Sequence, residues 1–191
     1  MIYLVRHGQT AFNAERRLQG HVDSDLTDLG RAQARAAGAR LAALIEDPAD
    51  WRIVASPLGR AQASARTIAD ALGGRPVEVE PRLIEVSWGV WDGRLRAELE
   101  AEHPDAFAES GWAFKAPAGE PYAGVRARMT DWLASLPPEP QRKVIAVSHG
   151  VAGRVLRGVY ADLSQAETVA QAVPQDAIHR LWDGRIELIP C

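Results

Sequence analysis

Two tripeptides far apart in the chain, Arg6-His7-Gly8 and Ser148-His149-Gly150, each follow an apolar run of the kind that makes a buried strand. If both runs lie in one parallel sheet, both imidazoles reach its carboxyl edge, where open α/β proteins build their sites. Such residues suit a phosphoryl group. An imidazole can attack phosphorus, a planar guanidinium offers paired donors to phosphate oxygens, and a glycine lets the backbone approach closely. Taken alone, an Arg-His pair reads better as a strand that ends on two polar residues.

Groups this far apart in sequence meet only if the elements carrying them are neighbours. Strand and helix patterns alternate with short punctuation, which predicts an α/β fold, a three-layer αβα sandwich with a mostly parallel central sheet. Ile2-Tyr3-Leu4-Val5 reads as the first strand. Thr27 is the expected N-cap of a helix through Leu29, Ala37, Leu41, Leu44 and Ile45, which Asp47-Pro48 ends. Residues 51–55 read as a second strand, and Ser56-Pro57 then offers an N-cap and a first-turn proline for a helix to Leu72, stopped by Gly73-Gly74. Val77 to Val79 is a short strand, Tyr122 to Leu136 a helix ahead of Pro137-Pro138-Glu139-Pro140, and Lys143 to Val147 a buried strand. A helix from Gly150 to Val159 follows, and Ala177 to Ile189 reads as a hairpin turning at Asp183-Gly184. Trp88, Trp91, Phe107 and Trp112 are scattered among acids and glycines, so segment 85–121 is expected to form a small inserted cap within a single domain spanning 1–191.

Composition limits what the site can belong to. A chain of 191 residues, 47% hydrophobic and 25% charged, can bury a sizeable core. The net charge of −3 lacks the basic excess that nucleic-acid binders use to displace counterions, so no nucleic-acid partner is expected. The single cysteine is Cys191, which excludes an intrachain disulfide and a thiolate metal cluster and fits a reducing compartment. The chain opens on a strand with no basic leader and no long apolar stretch, so a cytoplasmic location without membrane contact is expected. His21, His103 and His179 have no spacing that makes a metal site and read as surface or structural histidines.

Further motifs follow in a fixed order. Arg6-His7-Gly8-Gln9-Thr10 with Asn13 leads to Leu18-Gln19-Gly20, Asp23, Leu26-Thr27, Gly30 and Gln33-Ala34, then to Ser56-Pro57-Leu58 with Arg60-Ala61, and finally to Ser148-His149-Gly150. This ordered set resembles the histidine phosphatase superfamily, also called the phosphoglycerate mutase-like family. Each piece is weak alone, but the order over most of the chain is specific.

The resemblance implies a phosphoric monoester hydrolase that acts on a small phosphorylated metabolite through a phosphohistidine. His7 would attack in line, Arg6 and Arg60 would clamp the phosphate, and His149 would donate to the transferring group. Asn13, Gln19 and Gly20 would add phosphate or substrate contacts. Leu83-Ile84-Glu85, with Trp88-Gly89 and Trp91-Asp92-Gly93, resembles the family segment that carries the general acid, which makes Glu85 the candidate. Burial among tryptophans is expected to help Glu85 keep its proton, and Asp92 is read as a turn residue. The helix after His149 is expected to add its amino-terminal dipole to the phosphate site. Preorganised cations supply charge neutralisation, so no metal and no cofactor is implied. A monomer or a homodimer is expected.

Departures from the family pattern bear on specificity. Ser24-Asp25-Leu26-Thr27 stands for Ser-Pro-Leu-Thr, Ser64 for a threonine, Gly119-Glu120-Pro121 for Gly-Glu-Ser, and Pro174-Gln175-Asp176-Ala177 for a late asparagine-containing strand. Glu85 is followed by Val86-Ser87-Trp88-Gly89, where cofactor-dependent mutases of the family read Arg-His-Tyr-Gly, and this favours hydrolysis. Arg94 and Arg96 in the cap keep a phosphorylated carboxylic acid open as substrate. Two alternatives stand beside the hydrolase: phosphoglycerate mutase-type transfer, and a non-catalytic binder of phosphorylated ligands.

Overall fold

The computed structural model describes residues 1–191. Six strands form one sheet in the order β3-β2-β4-β1-β5-β6. They are β1 (Ile2–Arg6), β2 (Arg52–Ala55), β3 (Val77–Val79), β4 (Val144–Ser148), β5 (Ala177–Trp182) and β6 (Arg185–Pro190). The first four in chain order run parallel to one another, and β5 and β6 form an antiparallel hairpin at one side. The expected α/β sandwich is the observed architecture.

Alternation along the strands explains the layers. Ile2 and Leu4 of β1 enter one apolar cluster while Tyr3 and Val5 enter a second on the opposite face, as period-two side chains must. Helices α2 (Asp28–Leu44) and α3 (Gly59–Ala71) cover the second face, where Leu41 and Ile68 are fully buried. Helices α6 (Tyr122–Ala134) and α7 (Gly150–Tyr160) cover the first through Met129, Trp132 and Leu156. Short helices α1 (Ala11–Ala14), α4 (Arg96–Glu102), α5 (Pro104–Phe107) and α8 (Gln165–Ala170) complete the set. No helix is long and apolar enough to cross a membrane.

Segment 85–121 holds α4 and α5 in otherwise irregular chain. Its aromatic rings stack in series, Trp88 on Trp112, Trp112 on Phe107, and Phe107 on Trp91. Trp88, Trp91 and Leu99 belong to the same apolar cluster as Ile2 and Leu4 of the sheet. These tryptophans are packing residues.

Two local expectations have different outcomes. Thr27 caps α2, accepting from the Gly30 amide at 3.0 Å. Ser56 does not cap α3: the helix starts at Gly59, and its first amides, Gly59 N and Arg60 N, donate to the carboxylate of Asp23 from another loop. Any acceptor that reaches the free amides can serve as a cap. A remote one took the position, and Ser56 was left for the site.

Candidate active site

Register brings the two histidines together. Arg6 pairs with Ser148 across β1 and β4, so the next residues, His7 and His149, leave the sheet side by side. Their ring centroids are 5.1 Å apart at an interplanar angle of 61°, close enough for both to touch one oxyanion. Both rings are buried. Ala55 pairs with Val147 in the adjoining ladder, which delivers Ser56 to the same edge, where its Oγ lies 2.7 Å from His149 Nε2.

The tautomer of His7 follows from its partner. Its Nδ1 lies 2.8 Å from the Gly8 carbonyl, which can only accept, so Nδ1 carries the proton and donates. In the neutral ring, Nε2 then holds a free lone pair. Burial first, then the cationic Arg6 and Arg60, hold the His7 pKa well below its ordinary value of 6.5. Burial does the same to His149, helped by His7, Arg60 and Arg6. Both imidazoles are therefore neutral at pH 7.

Arg60 is buried and tightly held. Nη1 donates to Val22 O and to Asp23 Oδ1, each at 3.0 Å, and Nη2 donates to Gly20 O at 2.7 Å. Arg6 donates from Nη1 to Val173 O at 2.5 Å. Three buried nitrogens of the cluster have no partner: Arg6 Nε, Arg60 Nε and His149 Nδ1. With Ser56 Oγ–H donating to Nε2 of a neutral His149, Nδ1 carries the proton, and all three orphans are donors. Buried donors without an acceptor cost about 1–3 kcal/mol each.

Glu85 is buried, but its surroundings differ from the expected apolar pocket. Its Oε1 accepts from Ala152 N at 2.8 Å and Val86 N at 3.0 Å, and its Oε2 accepts from Val151 N at 3.2 Å. The carboxylate thus occupies the first turn of α7. A buried carboxylate requires donors, and this helix start supplies them. The Val151 and Ala152 amides at this helix start are thus engaged by Glu85.

Asn13 and Gln19 are held by neighbours. Asn13 closes a capping box with Thr10, its Oδ1 accepting from Thr10 N at 3.2 Å. Gln19 Oε1 accepts from Ser24 Oγ at 3.1 Å. Gly20 adopts φ +53°, and a Cβ there would overlap the Asp92 carboxylate, so only glycine lets this loop pass. Asp92 in turn accepts from Trp88 N at 2.9 Å, a turn contact as expected.

Sequence reasoning missed four residues that shape this cluster. Asp23 anchors Arg60 and caps α3, while Ser56 contacts His149. Ser64 Oγ accepts from Gly8 N at 3.1 Å, and Gln175 Nε2 donates to His7 O at 3.0 Å. The sequence reads Ser56 as a helix cap and Gln175 only as a departure from the family pattern. His21 donates to the Glu85 carbonyl at 2.9 Å, and Arg157 meets His179 Nε2 at 2.7 Å, so both imidazoles are structural.

Burial of neutral imidazoles has a measurable consequence. Unfolding returns His7, His149 and His179, the last pushed down to about 4 by burial and Arg157, to the ordinary value of 6.5. Below that pH the unfolded chain binds more protons than the folded one. Stability is then complete above pH 6.5 and falls as pH drops, by about 1.4 kcal/mol per pH unit for each such group. Urea midpoints measured from pH 8 to pH 5 should decline below pH 6.5. A midpoint unchanged between pH 7 and pH 5 contradicts the neutral buried state.

The family model for the histidine phosphatase superfamily (branch 1) matches residues 2–181. A protein of Erwinia tasmaniensis named probable phosphoglycerate mutase GpmB is 40% identical over 161 residues, covering 81% of this chain and 72% of that protein. Among solved structures, a mycobacterial glucosyl-3-phosphoglycerate phosphatase complexed with VO3 is 30% identical with a TM-score of 0.78, covering 98% of this chain and 96% of that one. Bacillus stearothermophilus YhfR is also 30% identical, with a TM-score of 0.80 over 99% of this chain and 95% of the other.

Proposed function

Because this chain belongs to the histidine phosphatase superfamily, we propose that it hydrolyses phosphoric monoesters of a small metabolite through a phosphohistidine at His7. One observation carries the reading: three buried N–H donors without acceptors, on Arg6, Arg60 and His149, beside an imidazole with a free Nε2 lone pair. A tetrahedral oxyanion in contact with all of them would satisfy every one. Preorganised donors of this kind stabilise charge on the equatorial oxygens of a transferring phosphoryl group. Arginine charge does this work without a metal in the proposed scheme.

His7 Nε2 attacks phosphorus in line, forming the N–P bond as the ester P–O bond breaks. The leaving alkoxide takes a proton from Glu85. Water then attacks the phosphohistidine, Glu85 accepts the water proton, and inorganic phosphate leaves.

The remainder of the substrate has room next to Asn13. A cleft of about 610 Å³ lies there, with Arg16, Arg17 and Arg96 together with Glu15 and Glu100 in its walls. Arg17 pairs with Glu15 and Arg96 with Glu100, which leaves Arg16 as the cation open to a second anionic group on the ester, a group carried by the phosphoglycerate esters for which the similar proteins are named. Identity to GpmB favours mutase-type transfer as the second reading.

One assay separates the possibilities. Incubated with p-nitrophenyl phosphate and with 3-phosphoglycerate, a hydrolase releases inorganic phosphate, and acid-labile label appears on His7 during turnover. Isomerised phosphoglycerate without free phosphate would instead identify a mutase. Tight phosphate binding with neither product would leave a binding protein. Turnover should survive EDTA.

A further inference from the structure

Between α8 and β5 the chain passes the site as an irregular strap, and its backbone is held by three arginines in succession. Arg154 Nε donates to Gln171 O at 2.7 Å, Arg157 Nη2 to Ala172 O at 2.7 Å, and Arg6 Nη1 to Val173 O at 2.5 Å. Arg157 is buried and has no carboxylate partner; its other contacts are Gly153 O and His179 Nε2. Two of the three arginines come from α7, the helix whose start holds Glu85 and follows His149. The strap therefore ties α7 to the strand end that carries Arg6 and His7.

Gln175 is the point where the strap reaches the chemistry. Its Nε2 has two hydrogens and two acceptors, His7 O at 3.0 Å and Asn13 Oδ1 at 3.2 Å. Asn13 Oδ1 also accepts from Thr10 N, so both of its lone pairs are used. That fixes which end of the Asn13 amide is free. Only Nδ2, a donor, remains for an incoming anion.

We infer that Gln175 is a positioning residue: it fixes the backbone at His7 and holds the Asn13 side chain in the orientation that offers Nδ2 to the phosphate. This inference rests on phosphoryl transfer at His7. Without Gln175, the Asn13 oxygen is held by the Thr10 amide alone, so the orientation of its amide is less firmly fixed, and the His7 carbonyl loses a buried partner.

Gln175→Ala should lower kcat for p-nitrophenyl phosphate about tenfold with KM changed less than about threefold, since small misplacements act on the transition state. Gln175→Glu keeps the shape but cannot donate to either oxygen, so it should lose at least as much. Asn13→Ala should also lower kcat, and the double variant Asn13→Ala/Gln175→Ala should lose clearly less than the product of the single losses. Inorganic phosphate, titrated against tryptophan fluorescence, should bind about fivefold more weakly to Gln175→Ala. The inference is overturned if Gln175→Ala lowers Tm and leaves kcat and phosphate affinity at wild-type values, or if the two losses multiply independently. Absence of wild-type turnover would sink the hydrolase reading instead, and the phosphate titration would still decide the role of Gln175.

Discussion

Replacing His7 with alanine is expected to lower turnover of p-nitrophenyl phosphate by at least about 10⁴-fold, because in the proposed mechanism the covalent intermediate forms on its Nε2. The Gly8 carbonyl fixes the proton on Nδ1 and leaves the Nε2 lone pair free, and burial beside Arg6 and Arg60 keeps that ring unprotonated. His149 cannot substitute, since its Nε2 is already engaged with Ser56 Oγ. The fold should persist, because β1 is held on both sides by β4 and β5 through backbone bonds that do not involve the imidazole. Circular dichroism and Tm establish that the variant is folded, and stopped assays measure the residual rate. A folded variant within tenfold of wild type would remove His7 from the mechanism.

Glu85→Gln is expected to slow alkyl phosphates by about 10²–10⁴-fold while slowing p-nitrophenyl phosphate much less. An alkoxide leaves only if it is protonated, whereas nitrophenolate leaves readily as an anion. Structure adds a second effect to this comparison. Glutamine can still accept from Ala152 and Val86 through one oxygen, but its NH₂ would then face the Val151 amide, donor against donor. That mismatch costs about 1–3 kcal/mol and affects both substrates equally. The ratio of the two losses, and not either loss alone, therefore measures proton transfer. A ratio near one would leave Glu85 as the cap of α7 and reassign the acid.

The two variants probe opposite sides of one electrostatic arrangement. Arg6 and Arg60 disfavour a proton on His7, and the same cations would attract the anion that the proposed mechanism has it attack. Asp23 offsets part of this charge by pairing with Arg60, and Glu85 faces Arg6 and Arg154. In the proposed mechanism, the groups that would hold the phosphate also keep the His7 lone pair available.

Much of this was legible in the chain. Apolar runs ahead of Arg6 and Ser148 mark buried strands by their length and β-branched content, and Thr27 marks a helix start because its hydroxyl can reach the Gly30 amide three residues away. Local preferences such as these depend on a few neighbouring residues. Ser56-Pro57 looked like the same kind of signal and was not, because a cap is defined by whichever acceptor reaches the free amides, and Asp23 arrives from 36 residues away.

Residue chemistry and order thus determined the strands, most helices, and the identities of the imidazoles and guanidinium groups that could hold a phosphoryl group. Tertiary structure alone decided that Arg6 and Ser148 share a register, that Glu85 lies in a helix start instead of an apolar pocket, and that Gln175 spans His7 and Asn13. Strand pairing and the partners of buried polar groups depend on which distant segments come to lie together, and no window of neighbouring residues contains that information.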